Sequence, residues 1–225
     1  MSRRALRRIS TGLDLSTHLK TFDDLPRPWQ AGALFAAADA PLEVEVGSGK
    51  GMFLLDASQQ FPRTNYLGVE IAANYAKFAA SRLAKRGIDN ALVVHADALR
   101  VLRDVLPEAS VAAVHVYFPD PWWKARHKKR RVMNAQFVGQ VQRVLAIDGS
   151  LHFWTDVEEY FHTGLEIIAA HSQLVGPIEV PQPPAEHAMD YRTNFERRVR
   201  LAGGRVYRAR FDKPRDVSAE SVFLG

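Results

Sequence analysis

Along this chain short β-branched apolar bursts alternate with longer stretches of helical period, the pattern of strands feeding helices. "PLEVEVG" (41–47) predicts a strand and "GMFLLDASQQF" (51–61) a helix. "NYLGVEI" (65–71) then predicts a strand, and "AANYAKFAASRLAKRG" (72–87) a helix closed by Gly87. "NALVVHA" (90–96), "DALRVLRDVL" (97–106) and "SVAAVHVYF" (110–118) continue as strand, helix, strand. "NAQFVGQVQRVL" (134–145), "GSLHFWT" (149–155) and "DVEEYFHTGLEIIAAH" (156–171) give helix, strand, helix. Before this body, "PWQAGALFAAA" from Pro28 has helical composition, with Pro near its start. After it come a Pro-rich loop, "GPIEVPQPPAEHAMDY" (176–191), an Arg-rich segment, and an edge strand, "GRVYRARF" (204–211). The alternation predicts a Rossmann-like, doubly wound α/β fold in three α/β/α layers. Its sheet is mostly parallel with an antiparallel edge strand.

The pattern has no internal repeat and no linker. Residues 1–25 lack a sustained apolar period and are expected to form a flexible basic arm, with residues 26–225 a single domain. At 225 residues and 47% hydrophobic, the chain can bury one sizeable core. No apolar run reaches the length of a membrane span, and "MSRRALRRIS" has no apolar stretch behind it to make a signal peptide. The chain has no Cys, which excludes disulfides, thiolate metal sites and a cysteine nucleophile. These features together predict a cytoplasmic protein.

Charge changes the picture more. Residues 1–8, 124–131 and 192–210 hold 17 of the 30 basic residues against one acid, Glu196. The remainder carries 13 basic and 24 acidic residues, a net of −11. Any one run is usually a solvated face, but three acid-poor clusters on an acidic body point to a polyanion such as nucleic acid.

"LEVEVGSGKGMF" places Gly47, Gly49 and Gly51 between the first strand of the alternating body and its helix, where the backbone must turn tightly and let a ligand approach. The spacing does not fit a P-loop, because Val44 stands where the first Gly belongs and Gly51 follows the Lys. Nor does it fit the dinucleotide fingerprint, because Met52 stands at the third Gly. Acids recur at successive strand ends: Glu45, Glu70, Asp97 and Asp120. They would repel a pyrophosphate but suit a ligand with a cationic centre, ribose hydroxyls and an exocyclic amine. S-adenosylmethionine has all three.

In this order the motifs "EVGSGKG", "GVE", "PDPW" with "KARHKKRR", "TD" (155–156) and "TNFE" (193–196) resemble the bacterial tRNA (guanine-N7)-methyltransferases. These are class I S-adenosylmethionine-dependent enzymes. The likeness runs from about residue 40 to 213 and departs at Trp123, where a proline is expected. It implies cofactor contacts at Glu45, Gly47, Gly49, Gly51, Glu70, Asp97 and Asp120, with Asp120 in the active site. It also implies substrate contacts at Lys124, Asp156, Thr193, Asn194, Phe195 and Glu196, and RNA contacts at Arg126, His127, Lys128, Lys129, Arg130 and Arg131. The implied target is the variable-loop guanine at standard tRNA position 46.

Guanine N7 carries a free lone pair, so its methylation needs no general base, and the reaction passes positive charge onto the purine. A carboxylate such as Asp120, accepting from the guanine N1–H or amino edge, strengthens as that charge grows. Trp122 or Trp123 could stack on the base or simply wall the loop. The cations beyond would hold the phosphates. The eight His residues show no metal-ligand spacing, and no metal is expected. The expected partner is tRNA, with no membrane and no obligate protein partner, the chain acting as a monomer or homodimer. The "PDPW" loop also echoes methylases of exocyclic amines, so an RNA N-methyltransferase is the nearest alternative. A catalytically silent RNA-binding subunit is another, although it would not need the four acids.

Overall fold

The computed structural model describes residues 12–122, 126, 131–181 and 191–215. Strands β1 (Leu19–Thr21), β2 (Leu42–Val46), β3 (Asn65–Glu70), β4 (Ala91–His95), β5 (Val111–Tyr117), β6 (Leu145–Thr155), β7 (Val175–Glu179) and β8 (Tyr207–Asp212) form one sheet. Its order is β1-β4-β3-β2-β5-β6-β8-β7. The pairs from β1 to β6 are parallel, and β8 runs antiparallel to both β6 and β7.

Helices α1 (Met52–Gln60), α2 (Ala73–Lys85), α3 (Ala98–Asp104), α4 (Ala135–Val144), α5 (Glu158–His171) and α6 (Asn194–Leu201) complete the described regular structure, with a short 3₁₀ turn at Ala31–Ala33. One sheet face is almost wholly apolar: Val44, Val46, Leu67, Val69, Val114, Val116, Leu151, Phe153 and Phe211 meet α3, α4 and α5 in the larger core. On the other face α1 and α2 bury Phe53, Leu54, Ala76, Ala79, Ala80 and Leu83 against Tyr66, Ala91 and Val93. Helices thus cover the sheet on both sides, and β2, β5 and β6 place Glu43, Glu45, His115, Tyr117 and His152 on the second face. No helix among the described residues is long and apolar enough to cross a membrane.

Three expectations are corrected. The arm does not extend to residue 25, because Leu19–Thr21 pairs in parallel with Val93–His95 and Leu25 is buried. Residues 1–11 lie outside the described residues. The Ala-rich stretch after Pro28 yields only the Ala31–Ala33 turn; Trp29, Leu34 and Phe35 pack on the core, but their spacing does not make the apolar stripe that a helix there would need to bury. The Pro-rich loop begins with strand β7, which takes the sheet edge and leaves β8 one place in; residues 182–190 lie outside the described residues. Pro177 is tolerated there because an edge strand leaves one row of N–H groups unpaired.

The two halves of the sheet part between β2 and β5: β3 and β4 lie on one side of β2, while β5 and β6 lie on the other. In such sheets the crevice at this switch point, beyond the carboxyl ends of the strands, receives the ligand. The chain reverses there through Gly51, with φ +64°, where an added Cβ would stand 2.7 Å from the Cβ of Ala79 in α2. Gly51→Ala should therefore lower stability by about 1–3 kcal/mol from overpacking and left-handed strain together. A fall in the urea midpoint with an unchanged slope would register it.

Candidate active site

β2 carries Glu45 to one row short of its carboxyl end, between the buried Val44 and Val46. The Glu45 side chain is 3% exposed, and its Oε2 has no hydrogen-bond partner among the described residues. Burial, and after it the charge of Glu70, pushes this carboxyl well above the ordinary carboxylate range. A buried acid without a partner is costly, and a cation placed beside it would return it to the ionised form.

Directly beyond, Gly47 and Gly49 adopt φ of +77° and +52°. The space where a Cβ would stand is empty at Gly47, and at Gly49 holds only a backbone oxygen 3.8 Å away. Glu70 ends β3 and ties the loop together: Oε2 accepts the N–H of Gly49 and Oε1 that of Ala72, both at 2.8 Å. Each carboxylate oxygen can accept a second donor, so Glu70 can hold the loop and a ribose hydroxyl at once. Asp97, exposed beyond β4, caps α3 by accepting the N–H of Arg100 at 3.2 Å. Glu45, Glu70, Asp97 and Asp120 thus line one edge, on neighbouring strands in the order β4, β3, β2, β5. The open glycine cradle, the unpartnered acid and the ribose-side carboxylate fit the cationic nucleoside cofactor expected from the sequence.

Asp120 is exposed three residues past the end of β5. The turn that carries it is strained on both sides, with φ of +51° at Phe118 and +43° at Trp122. Each such non-glycine residue costs on the order of 1–3 kcal/mol and persists only where its surroundings hold it. Phe118 is held by its N–H donating to the Trp154 carbonyl at 2.8 Å, and its ring meets that of Phe195 at 5.0 Å. Beyond Trp122, Arg131 is buried: its Nε donates to the Pro121 carbonyl at 2.7 Å, and its Cζ lies 4.8 Å over the Tyr160 ring. Tyr160 itself is pushed up to about 12 by burial, with Asp120 acting in the same direction and Arg131 against it. Asp156 is exposed just past β6, at the same edge as Asp120.

The "TNFE" segment has the sequence of a capping box, but its carboxylate reaches one residue further back, to the Arg192 N–H rather than to that of Thr193. Thr193 caps α6 by accepting the Glu196 N–H at 3.0 Å. Glu196 is 2% exposed, and its carboxylate accepts from the Arg192 N–H at 2.7 Å, Arg208 at 2.6 Å and Arg200 at 3.3 Å. Its described contacts therefore bind α6 to β8, and Phe195 carries that anchor to the Asp120 turn. Asn194 opens α6. Arg126 is exposed, whereas Lys124, His127, Lys128, Lys129, Arg130 and Trp123 lie outside the described residues.

Sequence reasoning missed the polar row beneath this edge. His115 is buried, with Nε2 at 2.8 Å from Glu43 and Nδ1 at 2.9 Å from the Tyr117 hydroxyl, and its ring stacks on His152 at 4.9 Å. Burial lowers both imidazoles against the pull of Glu43 on His115, and His152 reaches about 2. Neutral His115 then donates Nε2–H to Glu43 and accepts Tyr117 O–H at Nδ1. Ser48 Oγ and Trp154 Nε1 are also buried without partners among the described residues. The only signal in the sequence is the period-2 position of His115 and Tyr117 on the face of β5 shared with Glu45. Among the described residues no group of three or more His, Cys, Asp or Glu is arranged to hold a metal ion.

This fold and this edge define a Rossmann-like methyltransferase. The comparisons agree: the family model described as "Putative methyltransferase" matches residues 39–209. The structure is similar to that of the antibiotic-resistance methyltransferase Kmr, at TM-score 0.55 and 19% identity over 83% of this chain and 94% of that one. It is also similar to the aminoglycoside resistance methyltransferase NpmB1, at 0.51 and 19% over 77% and 87%. A tRNA (guanine-N(7)-)-methyltransferase of Rhodopirellula baltica is 46% identical over 95% of this chain and 80% of its own length. One of Legionella pneumophila is 32% identical over 88% and 84%. The chain belongs to the tRNA (guanine-N7)-methyltransferase family.

Because the folded chain holds the Glu45 proton more tightly than the unfolded chain, stability should fall as pH rises from the ordinary Glu value through the raised one. Glu45→Gln should remove that decline and raise the Tm at pH 8, by about 2–4 °C for each kcal/mol relieved. The same change should weaken adenosylmethionine binding by roughly tenfold or more, if it removes about 1.4 kcal/mol of ion pairing. Thermal melts from pH 5 to 9 and calorimetric titrations measure the two effects.

Proposed function

We propose that this enzyme methylates N7 of the guanine at position 46 in the tRNA variable loop, directly from S-adenosylmethionine. The observation that carries the reading is the placement of Asp120 at the acid-lined edge, immediately before the densest cationic run of the chain. When bound, the cofactor supplies an electrophilic methyl group on a sulfonium. Glu45 meets its cationic end, the glycine loop lets its backbone approach, Glu70 takes the ribose hydroxyls, and Asp97 stands at the adenine side.

Asp120 accepts from the N1–H or amino edge of guanine, and it tightens as the purine gains positive charge. No residue need remove a proton, because N7 has none. Asp156 at the neighbouring strand end is close enough in the fold to share in holding the base. Lys124 and the cations from Arg126 to Arg130 take the flanking phosphates, which supplies affinity rather than selectivity. A guanine stacked in folded tRNA must leave its stack to reach this edge. tRNA as the partner and the cytoplasm as the location follow from the same reading.

Nucleoside mass spectrometry of tRNA incubated with the protein and adenosylmethionine should yield 7-methylguanosine at position 46. A methyl group on an exocyclic amine would overturn the reading. Asp120→Ala should abolish turnover and leave tRNA affinity nearly intact, as filter binding would record. Neutralising Lys128, Lys129 and Arg130 together should weaken all tRNAs alike and flatten the dependence of log affinity on log salt. The slope should fall by about 0.9 for each duplex phosphate no longer neutralised, or by about 0.7 for each single-stranded one.

A further inference from the structure

We propose that Arg131 is a positioning residue for Asp120: seated on Tyr160 and donating to the Pro121 carbonyl, its guanidinium clamps the turn that presents the carboxylate. The inference rests on the reading of Asp120 as the group that meets the guanine.

Position alone assigns Arg131 to phosphate binding, since it closes the run from Lys124. A cation that serves RNA stays in water until the RNA arrives, whereas Arg131 is 8% exposed. Its side chain is committed twice, through Nε to Pro121 at 2.7 Å and through its flat face to Tyr160 at 4.8 Å. The platform is equally fixed. Tyr160 is fully buried in α5, and its hydroxyl accepts the Met133 N–H at 3.3 Å. Asn134, the cap of α4, donates from Nδ2 to the Arg131 carbonyl at 3.0 Å. The backbone on the far side of the basic run is therefore tied to two helices, and the Arg131 side chain reaches back across ten residues to the near side.

What it grips needs gripping. Asp120 stands between two left-handed residues, Phe118 and Trp122. Upstream, Phe118 is held by Trp154 and Phe195. Downstream, Arg131 is the described side chain that holds the carbonyl next to Asp120. The clamp also separates two tasks: Arg131 holds the turn that carries Asp120, which leaves phosphate binding to the other cations of the run. A displacement of about 1 Å at a reacting centre can lower rates by about 100-fold.

Arg131→Lys keeps the charge but loses the Nε donor and the planar face. It should lower kcat by roughly ten- to a hundredfold while leaving KM for tRNA, the salt slope and cofactor affinity unchanged. A raised KM with a flatter salt slope and preserved kcat would make Arg131 a phosphate ligand and overturn the proposal, as would unchanged kinetics. Tyr160→Leu removes the platform and should reproduce the loss, and the double variant should be no worse than the weaker single one. Fully additive losses would overturn it. Amide exchange in the absence of any acceptor should quicken at Phe118, Asp120 and Trp122 in both variants while the sheet stays protected; unchanged exchange there would overturn the clamp. That readout survives even if wild-type protein makes no 7-methylguanosine, which would instead sink the assignment of Asp120. Should both variants fail to fold, the Arg131 Nε–H resonance of the wild-type protein decides. It should exchange slowly and stay in place as tRNA is added, and a shift on addition would overturn the proposal.

Discussion

A carboxylate inside a sheet, with no cation beside it among the described residues, is the constraint around which this molecule is organised. Glu45 sits between Val44 and Val46 on the strand that borders both halves of the fold. Burial, and after it the charge of Glu70, pushes its carboxyl well above the ordinary carboxylate range. A chain selected for stability alone would place a neutral side chain there. The surrounding features make sense as a receptacle for a positively charged ligand: open glycines beyond the strand, Glu70 bracing them through two backbone N–H groups, and further acids on the adjoining strand ends.

Opposite charges are segregated along the sequence, and the acid-poor run from Lys124 begins four residues after Asp120. The acid edge accommodates a cationic donor and would repel a phosphate backbone, while the run from Lys124 to Arg131 would attract one. Asp120 lies at the junction, on a turn whose strained residues are fixed from one side by Trp154 and Phe195 and from the other by Arg131. Glu196 belongs to the same scheme. Its bonds to Thr193 at the cap of α6, to Arg200 within α6 and to Arg208 on β8 fix the helix against the strand, which sets Phe195 against Phe118. Beneath these lies the directed chain from Tyr117 through the buried, neutral imidazole of His115 to the part-exposed Glu43.

The central strands were legible because short Val-rich segments such as "VAAVHVY" and "LEVEV" alternate with helical stretches, and the helices because their apolar stripes face that sheet. Strands β1 and β7 were not, since "LKT" is too short to show a period and "VGPIE" holds the residues that signal a turn. The Ala-rich stretch after Pro28 has helical composition but no stripe, and composition without burial does not make a helix. At the site, the acids could be placed by strand ends alone. The inward turn of Arg131 and the saturation of Glu196 could not, because a charged residue in a basic run looks solvated until its partners are known, and here those partners, Tyr160 and Arg208, are 29 and 12 residues away. His115 was hidden for the same reason: its partner Glu43 lies 72 residues distant.

In the proposed reading cofactor capture depends on a cation meeting Glu45, and a calorimetric titration of the wild-type protein with adenosylmethionine tests that meeting directly. Run at neutral pH in two buffers of different ionisation enthalpy, it should show saturable binding with net release of protons as Glu45 becomes ionised beside the ligand. Binding without proton release would remove Glu45 from the cofactor site, and no binding, with or without tRNA present, would contradict the account as a whole.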